Sequence, residues 1–337
     1  MNLDDIKNDK EWLVQEILEV IDPDYKNRSQ THLEKEKRDI RYTLLFTMEG
    51  IENINATLII NYYRWLIDTL SAYNIKKDIL FKMHRVISEK LLPYLSEAQK
   101  TFLEHLDIEQ SLTIKDPFKI DEKHTVHKLY LDALLNKNRE KALQVVNQHL
   151  EDGMDLKTLY MDVIQISLYE IGYLWQTKKI TVADEHLATV ITQFVIATLY
   201  PKIFATQKHD KKVLGAGVGK ELHEIGIRMV MDFFEIDGYQ TQYLGCNIPP
   251  KEIVAYALDF QPDIIALSIT LPIHIGDMKK TVAMIRDETR LDHVKIIIGG
   301  QPFLHDTALY NIIGADGFAK NAVDALKVGG QLVAKTA

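Results

Sequence analysis

Residues 212–226 read Lys212-Val-Leu-Gly-Ala-Gly-Val-Gly-Lys-Glu221-Leu-His223-Glu-Ile-Gly226, a short apolar run that ends in glycines and opens onto a polar loop. A run of this length, followed by a helical pattern, reads as a buried strand feeding a helix. The same arrangement recurs at 239–245, 263–269, 294–300 and 315–319, with helical stretches at 224–236, 250–259, 278–289, 303–312 and 321–334. Strands that alternate with helices predict a parallel sheet covered on both faces, because parallel neighbours need crossover connections. Five such units predict a flavodoxin-like, doubly wound sheet of strand order 2-1-3-4-5. Ligands of that fold bind beyond the strand C-termini, near the switch point between the first and third strands.

Three short pieces fall at those C-termini: Glu221-x-His223-x-x-Gly226, Ser268-x-Thr270 and Gly299-Gly300, with 41 residues between the first two and 28 between the last two. Together they resemble the DxHxxG–SxL–GG fingerprint of the cobalamin-binding flavodoxin-like family in its base-off, His-on form. The resemblance implies a cobalamin cofactor whose cobalt takes His223 as lower axial ligand. Glu221 would hold the other ring nitrogen and fix the tautomer. Gly226 would admit the corrin edge, and Ser268, Thr270, Gly299 and Gly300 would leave a slot for the detached nucleotide tail. Two positions depart from the commoner pattern, Glu221 for Asp and Thr270 for Leu. Glu at the first is usual in the B12 photoreceptor branch.

A second constellation is Trp175-x9-Glu185-His186, which the periodicity places at the corner between two helices. It resembles the Wx9EH motif of adenosylcobalamin-dependent light sensors of the CarH type, and the likeness extends over about 122–335. That resemblance implies Trp175 packed over the upper axial group and Glu185 bonded to a ribose hydroxyl or to His186. It also implies His186 as a cobalt ligand once light has removed the upper group. Residues 122–208 carry four helical stretches, His127–Leu135, Arg139–Gly153, Leu156–Trp175 and Val182–Phe204, expected to form a four-helix-bundle cap. Asp155 and Thr181 fit as N-caps and Gly153 as a left-handed helix end.

Residues 1–115 show helical periodicity throughout and are expected to form about five helices, broken near Ile21-Asp-Pro-Asp, Asn74 and Pro93. They hold 16 Lys+Arg against 20 Asp+Glu, so no cationic face invites nucleic acid. Tyr62-Tyr63-Arg64-Trp65 reads as bundle core, and His32, His84 and His105 are scattered without ligand spacing. A helical sensor or interaction domain acting on a protein partner is expected there, joined by the linker around Pro117. The domain division is therefore 1–115, 122–208 and 211–337.

The whole chain of 337 residues carries a net charge of −8 and a single cysteine, Cys246, which excludes a disulfide framework and a Cys-rich metal site. No signal pattern opens it, and no unbroken apolar run approaches the roughly 18 residues of a membrane span. A cytoplasmic protein is expected, with homo-oligomer formation left open. No catalytic base or nucleophile stands out, so the chain is read as a non-enzyme. The leading expectation is a cobalamin-binding signal transducer, an adenosylcobalamin-dependent light sensor with output through protein contacts; methylcobalamin and hydroxocobalamin remain open as cofactor forms. The alternative is a corrinoid carrier that ferries methyl groups between methyltransferases.

Overall fold

The computed structural model describes residues 3–71, 77–112, 126–204, 207–305 and 309–334. The chain divides into two compact units, residues 1–117 and 118–337. Asn74 and Pro117, expected at a helix break and in the linker, lie outside the described residues.

The first unit is all helical among its described residues: α1 (Leu3–Asn8), α2 (Glu11–Ile21), α3 (Gln30–Glu52), α4 (Ala56–Ser71), α5 (Lys77–Leu91), α6 (Glu97–His105) and α7 (Ile108–Ser111). Breaks at Asp9–Lys10 and Asn53–Asn55 make these more than the five expected; at the second, Ile54 takes a left-handed φ of 48°. The core is built from Leu13, Ile17, Leu44, Met48, Ile59, Tyr63 and Ile87, all fully buried. Tyr62 and Tyr63 are core residues as expected, whereas Trp65 is 40% exposed and stacks its ring on Tyr62.

The second unit opens with a four-helix bundle. Its members are α8 (Lys128–Leu135), α9 (Arg139–Glu151), a long helix from Leu156 to Gln176, and α12 (Val182–Ile203). The long helix is α10 (Leu156–Thr158), a seven-residue π-helical segment Leu159–Gln165, and α11 (Ile166–Gln176). Asp155 caps it through the Thr158 N–H, and Thr181 caps α12 in a capping box with Asp184. Gly153 has the left-handed φ of 93° that ends α9. Each cap supplies an acceptor to backbone N–H groups that have no intrahelical partner.

The sheet follows: β1 (Lys212–Gly217), β2 (Gln240–Tyr243), β3 (Ile264–Ser268), β4 (Lys295–Gly299) and β5 (Gly317–Ala319), all parallel, in the order 2-1-3-4-5. Crossovers are α13 (Ile225–Ile236), α14 (Pro250–Phe260), α15 (Ile275–Arg286), the short α16 (Gln301–His305) and α17 (Leu309–Ile313), with α18 (Ala322–Ala334) closing the chain. The central strands β1, β3 and β4 are apolar on both faces, as strands covered twice must be.

The bundle's hydrophobic core extends onto two helices that cover the sheet. Met229 and Phe233 of α13 and Ala322 of α18 pack with Tyr160, Val195, Leu199 and Ile203 of the bundle. Polar contacts cross the same seam. Asp232 of α13 accepts hydrogen bonds from Tyr160 (2.9 Å) and Tyr200 (3.1 Å), and Lys157 pairs with Asp237 at 3.0 Å. α12 is long and apolar enough to cross a membrane by length and composition, a property the unbroken-run criterion did not register. Its apolar residues split between two faces. Ala188, Ile191, Val195 and Leu199 enter the core, while Leu187, Val190 and Phe194 form an exposed row.

Candidate functional site

The loop after β1 carries the first motif. Gly219 has φ of 69°, and a Cβ there would meet Asp277 Oδ2 at 2.4 Å, so the turn demands glycine. The turn drives Glu221 into the protein, where it is buried, and throws Leu222 and His223 outward. Glu221 Oε1 accepts the His223 Nδ1–H at 2.5 Å and the backbone N–H groups of Leu222 and His223 at 2.9 Å. Its Oε2 accepts the backbone N–H groups of Thr270 and Leu271. One carboxylate therefore ties the loop after β1 to the loop after β3, across the switch point.

Burial alone would raise the Glu221 pKa, but the hydrogen bonds from His223 and from backbone N–H groups outweigh it and hold the carboxyl at about 2. The same hydrogen bond raises the pKa of His223, and Glu185 adds to it from α12. With Nδ1–H donated to Glu221, the neutral ring keeps its lone pair on Nε2, on a side chain 59% exposed. Such a nitrogen is able to ligate a metal, and a carboxylate that orients the ring is already in place. A single imidazole does not hold a bare transition-metal ion, which takes about four ligands. It suits a metal that brings its own equatorial donors, as cobalt in a corrin does.

The other two pieces stand beside it. Gly217, Ser268 and Gly299 are consecutive partners across β1, β3 and β4, so the three motifs meet at one sheet edge. Gly300 has φ of 111°, and a Cβ there would lie 1.8 Å from the Ile269 carbonyl oxygen. Gly226 is open, with nothing within 4 Å of an added Cβ, so space for a ligand exists on that side. Thr270 is half-buried and contributes its backbone N–H to Glu221, a bond any residue at this position would make, so the structure gives no reason for Thr in place of Leu.

The second constellation lies at the α11–α12 corner. Trp175 is in the last turn of α11 and exposed. In the first turns of α12, Glu185 Oε2 accepts from His186 Nδ1 at 2.5 Å, and Glu185 Oε1 accepts from the Thr189 hydroxyl at 3.3 Å. His186 is 74% exposed, with Nε2 free of that bond. Two links place this end of α12 near the lower-ligand loop: the field of Glu185 at His223, and a hydrogen bond from Gln193 to Glu224. Sequence reasoning missed Gln193, although it lies two helical turns from His186 on the same face. It also missed His274, buried at the N-terminus of α15 with Nδ1 3.7 Å from Asp277, because neither residue belongs to a motif.

Comparison with known proteins agrees with this geometry. Residues 126–200 match one family model described as a B12 binding domain, and residues 211–327 match a second with the same description. Over residues 126–327 the chain belongs to the B12-binding domain family. A corrinoid protein of Desulfitobacterium hafniense is 24% identical over 212 residues, 60% of this chain and 95% of that protein. Dimethylamine corrinoid protein 1 of Methanosarcina acetivorans is 28% identical over 167 residues, 50% of this chain and 76% of that protein. Among solved structures, the monomethylamine corrinoid protein of Methanosarcina barkeri superposes with a TM-score of 0.56 at 20% identity, covering 61% of this chain and 98% of that one. These relatives are corrinoid proteins by name. They favour the methyl-carrier alternative over the light-sensing signal transducer that the Trp175–Glu185–His186 resemblance had put first.

Proposed function

We propose that this chain is a corrinoid carrier, a cytoplasmic non-enzyme that binds cobalamin and carries methyl groups between methyltransferases. The observation that supports it most is the Glu221–His223 pair, standing at the sheet's switch point in a chain whose relatives are corrinoid proteins. His223 Nε2 would take the lower axial position, Glu221 would keep the ring oriented, and Gly299 and Gly300 would clear the slot for the nucleotide tail. A bound corrinoid supplies the methyl-carrying chemistry; the protein orients it and excludes water. The α12 end with Glu185 and His186 would border the upper face, and the helical unit 1–115 would engage a protein partner.

The test is reconstitution of the full chain with hydroxocobalamin and with methylcobalamin, followed by absorption spectroscopy. A His-on spectrum that is lost in His223→Ala supports the assignment, and an unchanged spectrum in that variant refutes it. Methyl transfer from loaded protein to an added thiol acceptor by a methyltransferase fraction from the same cells would support the carrier role; failure despite a His-on spectrum would count against it. A second reading, the adenosylcobalamin light sensor, has one observation in its favour: the Glu185–His186 pair, in which His186 Nδ1 is held by Glu185 and Nε2 takes no part in that bond. Green light should then convert the adenosylcobalamin-loaded protein to a bis-His spectrum absent from His186→Ala. An aquo spectrum in both would remove that reading.

A further inference from the structure

The π-helical segment Leu159–Gln165 has no role in holding the cofactor, yet its position in the molecule is unusual. π-helix is rare, occurs mostly as short inserts within α-helices, and is frequent at functional sites. Here it interrupts one continuous helix whose two ends are fixed to different things. Just before the segment, Lys157 pairs with Asp237 at the C-cap of α13, and within its first turn Tyr160 is bonded to Asp232 of α13. On its C-terminal side, two side chains of α11 grip His127. Glu170 Oε2 is 2.9 Å from His127 Nε2, and the Ser167 hydroxyl donates to the His127 carbonyl at 3.4 Å. Ser167 and His127 are both buried. Five residues beyond Glu170 the same helix reaches Trp175 at the cofactor corner.

The order along the helix is therefore sheet anchor, π segment, His127 anchor, Trp175. A π segment holds one extra residue in its hydrogen-bonded ring and can redistribute it, so one flank shifts by about a residue's rise, ~1.5 Å, without unfolding the other. The N-terminal flank is held to the sheet, so a displacement of α11 at Trp175 is taken up in the π segment. Because Ser167 and Glu170 lie between, His127 moves with it. His127 is the residue from which the chain runs back through 113–125 to the N-terminal helical unit.

We propose that Leu159–Gln165 is a sliding joint that couples occupancy of the corrin site, felt at Trp175, to His127 and the start of α8. The coupling rests on the cobalamin reading above, and it applies to a methyl carrier and to a sensor alike.

Amide hydrogen exchange on the full chain tests it, with cobalamin-free protein compared with protein loaded with methylcobalamin or hydroxocobalamin. Loading should change exchange in both 166–176 and 126–135, by at least about fivefold, the lower end of ordinary coupling between sites. Deleting the half-exposed Asp162 removes the extra residue and should restore a plain α-helix. That variant should keep the His-on absorption spectrum and lose the response of 126–135. The double variant Ser167→Ala/Glu170→Ala, which removes both side-chain bonds to His127 and leaves the helix intact, should lose the same response, so the result does not depend on the deletion folding. A loaded wild type whose 126–135 amides are unchanged overturns the joint while leaving cobalamin binding standing. Retention of the response in both variants overturns it equally. Absence of any cobalamin spectrum in the wild type overturns the binding reading, and the joint with it.

Discussion

Replacing Asp232 by Asn should stabilise the second unit at pH 8 and leave it nearly unchanged at pH 4. Asp232 is buried in the seam between bundle and sheet, where burial raises its pKa to about 6; hydrogen bonds from Tyr160 and Tyr200 and the charge of Arg228 offset this only in part. A folded pKa above the unfolded value of 3.8 means that the native state favours the protonated carboxyl. The associated stability is fully present below the unfolded pKa and is lost as pH rises through about 6. Two pKa units amount to about 3 kcal/mol at pH 8, and an amide avoids that cost. Asn offers one acceptor oxygen in place of two, so one tyrosine hydroxyl loses its partner, a cost of about 1 kcal/mol. The net gain is about 2 kcal/mol at pH 8; at pH 4 the wild-type carboxyl is protonated already, offers one carbonyl acceptor as the amide does, and the difference falls to near zero. At roughly 2–4 °C per kcal/mol for a unit of this size, calorimetry on the cobalamin-free chain should resolve the shift at pH 8 and its disappearance at pH 4. A variant less stable than wild type by the same amount at both pH values would show that Asp232 carries no charge penalty, and the reasoning would fail.

Three further outcomes follow from the site. Glu221→Ala removes the acceptor of four backbone N–H groups and one imidazole, and should cost the cobalamin-free protein about 3–5 kcal/mol in urea unfolding; a loss under 1 kcal/mol would show that the two loops do not depend on it. Gly300→Ala should abolish cobalamin binding by displacing the Ile269 backbone, which a Cβ would meet at 1.8 Å, and an unaltered binding titration would contradict that. Trp175→Ala should leave the His-on spectrum intact but weaken adenosylcobalamin relative to methylcobalamin by about 1–3 kcal/mol, if the indole packs on the adenosyl group; equal binding of both cofactors in wild type would argue against that packing.

Legibility in the sequence follows how local the cause is. The sheet order was readable because each strand is a short apolar run bounded by glycine and each crossover is helical, and β1–β5 pair as that pattern predicts. Caps were readable for the same reason, since Thr181 and Asp184 sit three residues apart. Helix faces were less so. Tyr42 shares the period of Phe46 and Ile51 yet is exposed, because period alone does not say how wide a helix's buried stripe is. The π segment is not legible in the helical periodicity, which reads as unbroken over Leu156–Trp175. Gln193–Glu224 and Tyr160–Asp232 join residues 31 and 72 positions apart, and no spacing rule reaches across an interface that only the packed core creates.

Glu221 shows how a departure from a family pattern can carry structural information. Its task toward His223 is one an aspartate performs in the commoner motif, but Oε2 reaches a further pair of N–H groups at Thr270 and Leu271, on the far side of the switch point. A side chain shorter by one methylene, on the order of 1.5 Å, cannot keep Oε1 on the His223 ring and Oε2 on that second loop without moving the backbone between them. The longer residue thus converts an orienting contact into a staple, and the lower-ligand loop is formed before any cofactor arrives. α12 makes the complementary arrangement above: one face enters the bundle core, the other brings Glu185, His186 and Gln193 towards the stapled loop.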